Sequence, residues 1–197
     1  MSAPGITFDL LDGSDAPAEE LRALHAEVYA PAPGSGGAGS GGAGSGGAGS
    51  GGAGSVDDAE FADRFRVQRR QPGFVLAEAR HGGYLVGYAY GMPLRPATSW
   101  WRDLTAPVPA EVSAEYPGRT FAVGGLLVRA SWRRQGIGRA LHDLLLAGRP
   151  EERATLTVPP AAIPAQNAFL KWGWRKVART RLPALSDVLV IKLPLGP

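Results

Sequence analysis

The spacing of apolar and polar positions changes period several times along the chain, and each change marks an element. Near the start "ITFDLLD" alternates weakly and predicts a strand. Asp15 and Pro17 then stand where a helix cap and first turn belong. Leu21, Leu24, His25, Val28 and Tyr29 follow at i, i+3, i+4, i+7 and i+8, which is the stripe of an amphipathic helix. A second helix is predicted with Asp57, Asp58 and Glu60 in its first turn, Phe61 and Phe65 as apolar contacts, and Pro72-Gly73 as its stop. "FVLAEAR" and "YLVGYAYGM" flank His81-Gly82-Gly83 and read as an antiparallel hairpin. "TFAVGGLLV", residues 120–128, is an unbroken apolar run of strand length, the pattern of a strand covered on both faces. Helical period returns at 137–148 with Ile137, Ala140, Leu141, Leu144 and Leu145, and Gly148 and Pro150 end it. A strand around "ATLTV", a helix around 164–172 and the closing strands "WRKVART" and "DVLVIKL" complete the order β-α-α-β-β-β-α-β-α-β-β.

Two stretches fall outside any period. Residues 36–55 are four identical copies of GGAGS, preceded by Gly34 and Ser35, and they offer no apolar side chain to offset the entropy of ordering. Such a coil of about 22 residues spans roughly 25 Å on average, enough to tether two neighbouring helices without setting their geometry. It is either a repeat expansion or a replaced loop. The expectation is one domain over 1–197, interrupted by this flexible linker at 34–55. Residues 93–119 hold five prolines together with Trp100 and Trp101, and predict a long ordered loop of the kind that carries function.

Composition narrows the chemistry. Of the 197 residues 44% are hydrophobic and 20% charged, which is globular composition, and no apolar run approaches the roughly 18 residues of a membrane span. No basic leader with a long apolar run opens the sequence, so a cytoplasmic protein without membrane attachment is expected. With no cysteine and three histidines, His25, His81 and His142, neither disulfides nor thiolate metal sites are available, and no metal is expected. The net charge of +3 does not by itself imply a polyanion partner.

Cations do cluster in "SWRRQGIGRALHDLLLAG", residues 131–148. The first amides of a helix have no internal partners and carry the positive end of its dipole, and glycine lets an anion reach them without meeting a Cβ. Arg133, Arg134 and Arg139 surround Gln135, Gly136, Ile137 and Gly138, and guanidinium forks match phosphate oxygens. A strand, a glycine-rich turn and a helix start together suit a pyrophosphate. Two familiar phosphate motifs fail. Gly138 is followed by Arg139-Ala140 rather than Lys-Ser or Lys-Thr, and the three-glycine dinucleotide fingerprint lacks its third glycine.

The string Arg133-x-x-Gly136-x-Gly138, with Leu126, Leu127 and Val128 on the strand before it, resembles motif A of the GCN5-related N-acetyltransferase (GNAT) superfamily. "PAQNAFLKWGWRKV", with Trp172, Gly173 and Trp174, is similar to that family's second signature. The pattern as a whole, including "WWRDL" and "GRPEERATL", is similar to actinobacterial-type members of unassigned substrate. The resemblance implies an α/β (α+β) GNAT fold, a mixed and mostly antiparallel sheet of six to seven strands flanked by about four helices. It also implies acetyl-CoA as co-substrate, held at Leu126–Val128, at 133–139 and near Phe169, and direct transfer of acetyl to a primary amine in a ternary complex. Two functional positions of the family differ here. The strand glutamate that often acts as base corresponds to Gly125, and the tyrosine that protonates the thiolate corresponds to Phe169. The family's asparagine seven residues earlier corresponds to Ala162, which leaves that pantetheine contact unassigned. Glu111 and Glu115 in the long loop are weaker base candidates, and Tyr90 is the remaining candidate for proton transfer. Gly124-Gly125 suits a bulge or a close backbone approach. Tyr88, Tyr90, Trp100 and Trp101 are candidate walls for the acceptor amine, through cation–π contact. The competing readings are a non-catalytic acyl-CoA sensor and a nucleic-acid binder using the Arg129–Arg139 cluster; the latter ranks last because the other charges are mixed. A monomer or homodimer is expected.

Overall fold

Residues 5–29, 58–181 and 185–194 are described by the computed structural model of the chain, so the expected tether at 34–55 and Asp57 lie outside the described residues. Within them run β1 (Ile6–Leu11), α1 (Ala18–Tyr29), α2 (Asp58–Gln68), β2 (Val75–His81), β3 (Tyr84–Pro93), α3 (Ala110–Ser113), β4 (Thr120–Val128), α4 (Ile137–Leu146), β5 (Arg153–Val158), α5 (Ile163–Lys171), β6 (Arg175–Thr180) and β7 (Ser186–Lys192). A single 3-10 turn, Ala130–Trp132, joins β4 to the approach of α4. The order matches the sequence pattern, with one addition. The expectation of about four helices becomes five, because the proline-rich loop holds the four-residue α3.

The strands form one sheet in the order β1-β2-β3-β4-β5-β7-β6, antiparallel throughout except for the β4–β5 pair. The hairpin between β2 and β3 turns on Gly82 and Gly83, whose φ values of 54° and 83° meet the demand of a two-residue turn for two left-handed positions.

Each face of the sheet has its own apolar layer. On one side α4 and α5 cover Val86, Phe121, Val123, Leu126, Val128, Leu156 and Leu189, using Ile137, Leu141, Leu145 and Phe169. On the other, Leu21 and Leu24 of α1 and Phe61 and Phe65 of α2 pack on Leu76, Tyr88, Tyr90 and Leu127. In β4 the residues facing the α4 layer are 121 and 123, then 126 and 128, so the two-residue alternation slips once. The slip is a bulge: Tyr90 stands opposite Gly125 and Gly91 opposite Val123, leaving Gly124 unpaired. Glycine is required there. A Cβ on Gly125 would come within 2.8 Å of Tyr90 Cε1, and one on Gly124 would meet the same ring closer still.

Candidate functional site

β4 and β5 pair in parallel only over Thr120–Ala122 and Arg153–Thr155. Beyond that point β5 stays paired with β7 as far as Val158 opposite Asp187, while β4 has no strand partner on that side among the described residues. The sheet therefore opens as a wedge. Its mouth is bounded by the bulge at Gly124, the unpaired edge of Leu126, Leu127 and Val128, and the turn that follows β4.

That turn leaves its amides without partners among the described residues. Arg134 has φ 65° and Gly136 φ 82°, two left-handed residues that bend the chain into the start of α4. Among the described residues, the N–H groups of Arg134, Gln135, Gly136, Ile137, Gly138 and Arg139 donate to no acceptor; the first bond of the helix runs from Ala140 N to Gly136 O at 3.0 Å. Arg134, Gln135, Gly136 and Arg139 are exposed and Gly138 half-buried, whereas Ile137 is the buried anchor of the turn. A Cβ on Gly138 would meet Leu126, Val128 and Trp172 only at 3.7–3.9 Å, so the protein itself does not need glycine there. Bare, unpartnered amides at a helix start beside arginines are the chemistry of a candidate anion cradle.

The arginines around it have separate tasks. Arg133 Nε donates to Val128 O at 3.0 Å, and burial holds its guanidinium below the usual arginine range. Arg129 belongs to the fold: its Nε donates to Leu85 O at 2.7 Å, it stacks on Tyr84 at 4.4 Å and it pairs with Glu27. The cluster read from the sequence as one basic patch is thus split, and Arg134 is its member with no side-chain partner among the described residues.

On the opposite face of the sheet a cavity of about 850 Å³ reaches the same wedge at Ala122 and Gly124. Arg95 and Asp103 are its charged lining residues, and Gln68, Trp100 and Thr157 contribute polar groups. Of the four aromatic residues expected at the acceptor, Trp100 lines this cavity, with its Nε1 buried and lacking a hydrogen-bond partner. Trp101 points the other way. Its Nε1 donates to Glu115 Oε1 at 2.8 Å, and Arg153 lies 5.2 Å over its ring. Tyr88 and Tyr90 are fully buried beneath α1 and α2. The Tyr90 hydroxyl donates to Gln68 Oε1 at 3.1 Å, and burial pushes its pKa to about 12; burial raises Tyr88 as well. Glu115, one of the weaker base candidates, is held by Arg153, Trp101 and Thr120 with its side chain 1% exposed, so it does not swing toward the wedge. Glu111 is exposed on the four-residue α3.

The second signature closes the α4 layer. Phe169 is buried edge-on to Trp172 at 5.4 Å and to Trp174 at 5.8 Å, and Ala162 caps α5 without a side-chain bond. Gly173, at φ 96°, lets the chain leave α5 while Trp174 N returns to Phe169 O at 3.1 Å. Of the three histidines, His142 takes a place beside this signature that the sequence pattern does not assign. Carried on α4, it is buried against these tryptophans: Trp174 Nε1 donates to its Nε2 at 2.9 Å, and its Nδ1 lies 2.8 Å from Asp143 Oδ1. The available signal was its position beside the stripe, one residue after Leu141 and four before Leu146, both of which are buried.

Burial lowers the His142 pKa from 6.5, although Asp143 favours its protonation and Arg139 opposes it. Below pH 6.5 the unfolded chain takes up the proton first, so stability present above that pH is lost as acidity rises toward the folded pKa. The melting temperature is expected to fall between pH 7 and 5, and His142→Gln should flatten that slope in a thermal scan; an unchanged slope would exclude His142 as its source.

The sequence model of the Acetyltransferase (GNAT) family matches residues 51–174. A search among curated proteins finds no match. Among solved structures the chain is similar to Arabidopsis thaliana NAA60 in complex with acetyl-CoA, at 18% identity and TM-score 0.60, covering 95% of this chain and 99% of that one. It is also similar to the putative acetyltransferase yncA of Salmonella typhimurium with its cofactor acetyl-CoA, at 15% identity and TM-score 0.55, covering 98% and 95%. The ribosomal-protein-S18-alanine N-acetyltransferase of Escherichia coli matches at 15% identity and TM-score 0.55, again covering 98% and 95%.

Proposed function

Because the chain belongs to the acetyltransferase (GNAT) family, we propose that it is an acetyl-CoA-dependent N-acetyltransferase whose two substrates meet through the β4–β5 wedge. The observation that carries this reading is the coincidence of two approaches to one gap: the unpartnered amides of 134–139 on one face, and the cavity at Gly124 on the other. The turn with Arg133, Arg134 and Arg139 would take the diphosphate, and the unpaired edge of Leu126–Val128 would take the pantetheine amides. Holding both reactants in such a gap is worth several orders of magnitude in rate before any acid or base acts.

Bound acetyl-CoA supplies a thioester carbonyl. The neutral amine attacks it, a C–N bond forms, the C–S bond breaks, and the electron pair leaves on sulfur as the thiolate. The amine proton passes to water or to Asp103, the one carboxylate among the described lining residues. Gly125 and Phe169 supply neither base nor acid, and Tyr90, with a pKa of about 12 and its hydroxyl already donating to Gln68 Oε1, serves to fill the bulge rather than to protonate the thiolate. A thiol of pKa near 8.5 leaves without an acid at a cost of about 10²- to 10⁴-fold in rate.

The cavity's charged lining is one guanidinium and one carboxylate, so the acceptor it suits is a small amine carrying mixed charge rather than a polycation. Thiol release on an amine panel tests the reading. Slow turnover with zwitterionic amines is expected, and Asp103→Asn should lower kcat/KM for them about tenfold without altering acetyl-CoA affinity. Acetyl-CoA binding with no thiol release on any amine would instead establish the sensor, the reading that Gly125 and Phe169 favour.

A further inference from the structure

We propose that His142 and Asp143 are positioning residues that fix the reach of Arg139 at the anion cradle, and that Trp174 sets the tautomer on which their action depends; the proposal rests on the acetyl-CoA reading above. The indole N–H of Trp174 is a donor only, so at 2.9 Å it requires a lone pair on His142 Nε2. The ring proton then sits on Nδ1, which donates to Asp143 Oδ1 at 2.8 Å. The second carboxylate oxygen, Oδ2, accepts from Arg139 Nε at 2.6 Å. Donors and acceptors alternate without conflict along the whole chain.

Arg139 has a second restraint. Its guanidinium lies 5.7 Å over Trp172, whose ring packs against His142 at 4.9 Å and Phe169 at 5.4 Å. Nε is thus committed to Asp143, while the two terminal nitrogens have no hydrogen-bond acceptor among the described residues. Arg139 follows Gly138 in the first turn of α4, beside the free amides. A half-exposed pair at i, i+4 ordinarily contributes little, because both side chains keep other conformations. Here the carboxylate is held by an imidazole that is 6% exposed and itself anchored by a buried indole, so the guanidinium is held before any ligand arrives. The second signature and the anion turn are joined by this relay.

Two effects of Asp143 on a bound diphosphate have opposite signs, which makes the proposal testable. As a nearby negative charge it repels the ligand, so removing it should strengthen binding; as the group that holds Arg139, its removal should weaken binding. Positioning is expected to win. Asp143→Asn and Asp143→Ala should weaken acetyl-CoA binding by titration calorimetry three- to tenfold and raise KM for acetyl-CoA alike, with the acceptor KM unchanged. In an Arg139→Ala background, where only the repulsion remains, the same substitutions should no longer weaken binding and should leave it equal or slightly tighter. The Asp143 side chain is half exposed, and a thermal scan checks that the variants fold. Equal or tighter binding, or an undiminished loss in the Arg139→Ala background, overturns the proposal alone. Failure of the unsubstituted protein to bind acetyl-CoA overturns it together with the acetyltransferase reading.

Discussion

Glu115→Ala is expected to destabilise the protein by about 3–5 kcal/mol, because it leaves a buried guanidinium without its counter-charge. One oxygen of Glu115 accepts from Arg153 Nη2 at 2.9 Å, from Trp101 Nε1 at 2.8 Å and from Thr120 Oγ1 at 2.9 Å. Arg153 has no other carboxylate partner among the described residues; its remaining contacts are Thr120 Oγ1 and Val112 O. For a domain of this size the loss corresponds to a fall of roughly 10 °C or more in melting temperature. The consequence extends to function. The same interaction ties the loop bearing Arg95, Trp100 and Asp103 to the base of β4 and β5, so acceptor KM should rise while acetyl-CoA affinity stays within twofold. Glu115→Gln, which retains an acceptor oxygen, should lose about half as much stability. A melting temperature unchanged in Glu115→Ala would show that the loop is held by other contacts.

Gly138→Ala should do the reverse, sparing the fold and damaging the cradle. The added methyl meets its nearest protein atoms at 3.7 Å or more, and alanine in a helix is favoured over glycine by about 1 kcal/mol. Stability should therefore hold or rise slightly. A diphosphate drawn against the amides of the first turn meets that methyl, and acetyl-CoA affinity should fall ten- to a hundredfold, about 1.4 to 2.8 kcal/mol. Titration calorimetry beside a thermal scan separates the two effects. Equal affinity in the variant would place the diphosphate away from Gly138.

What could be read from the sequence was what short-range spacing encodes. The strand–turn–helix at 120–146, the Gly82-Gly83 hairpin and the helix stop at Gly148 each depend on residues within a few positions of one another, and glycine marks every one. The same spacing placed Tyr88 and Tyr90 on one face of β3, correctly, but it does not say what covers that face. α1 and α2 do, and so the tyrosines lie in a core layer. Trp100 and Trp101 are adjacent and point apart, one into the cavity and one onto Glu115. The pairing of Glu115 with Arg153, 38 residues away, leaves no periodic trace in the sequence. Nor does the parting of β4 from β5 after Ala122, which follows from the bulge that Gly124-Gly125 only suggested. His142 stood in the sequence only as one of three histidines, outside the expected α4 stripe, and its meaning depended on Trp174, brought back to it from beyond the next strand and helix.

Backbone amide resonances of the protein titrated with acetyl-CoA test the unpartnered amides of 134–139 directly. The largest downfield shifts should fall on Gln135 through Arg139, with smaller ones along Leu126–Val128. Saturable binding that leaves the 134–139 amides unmoved would contradict the placement of the diphosphate there.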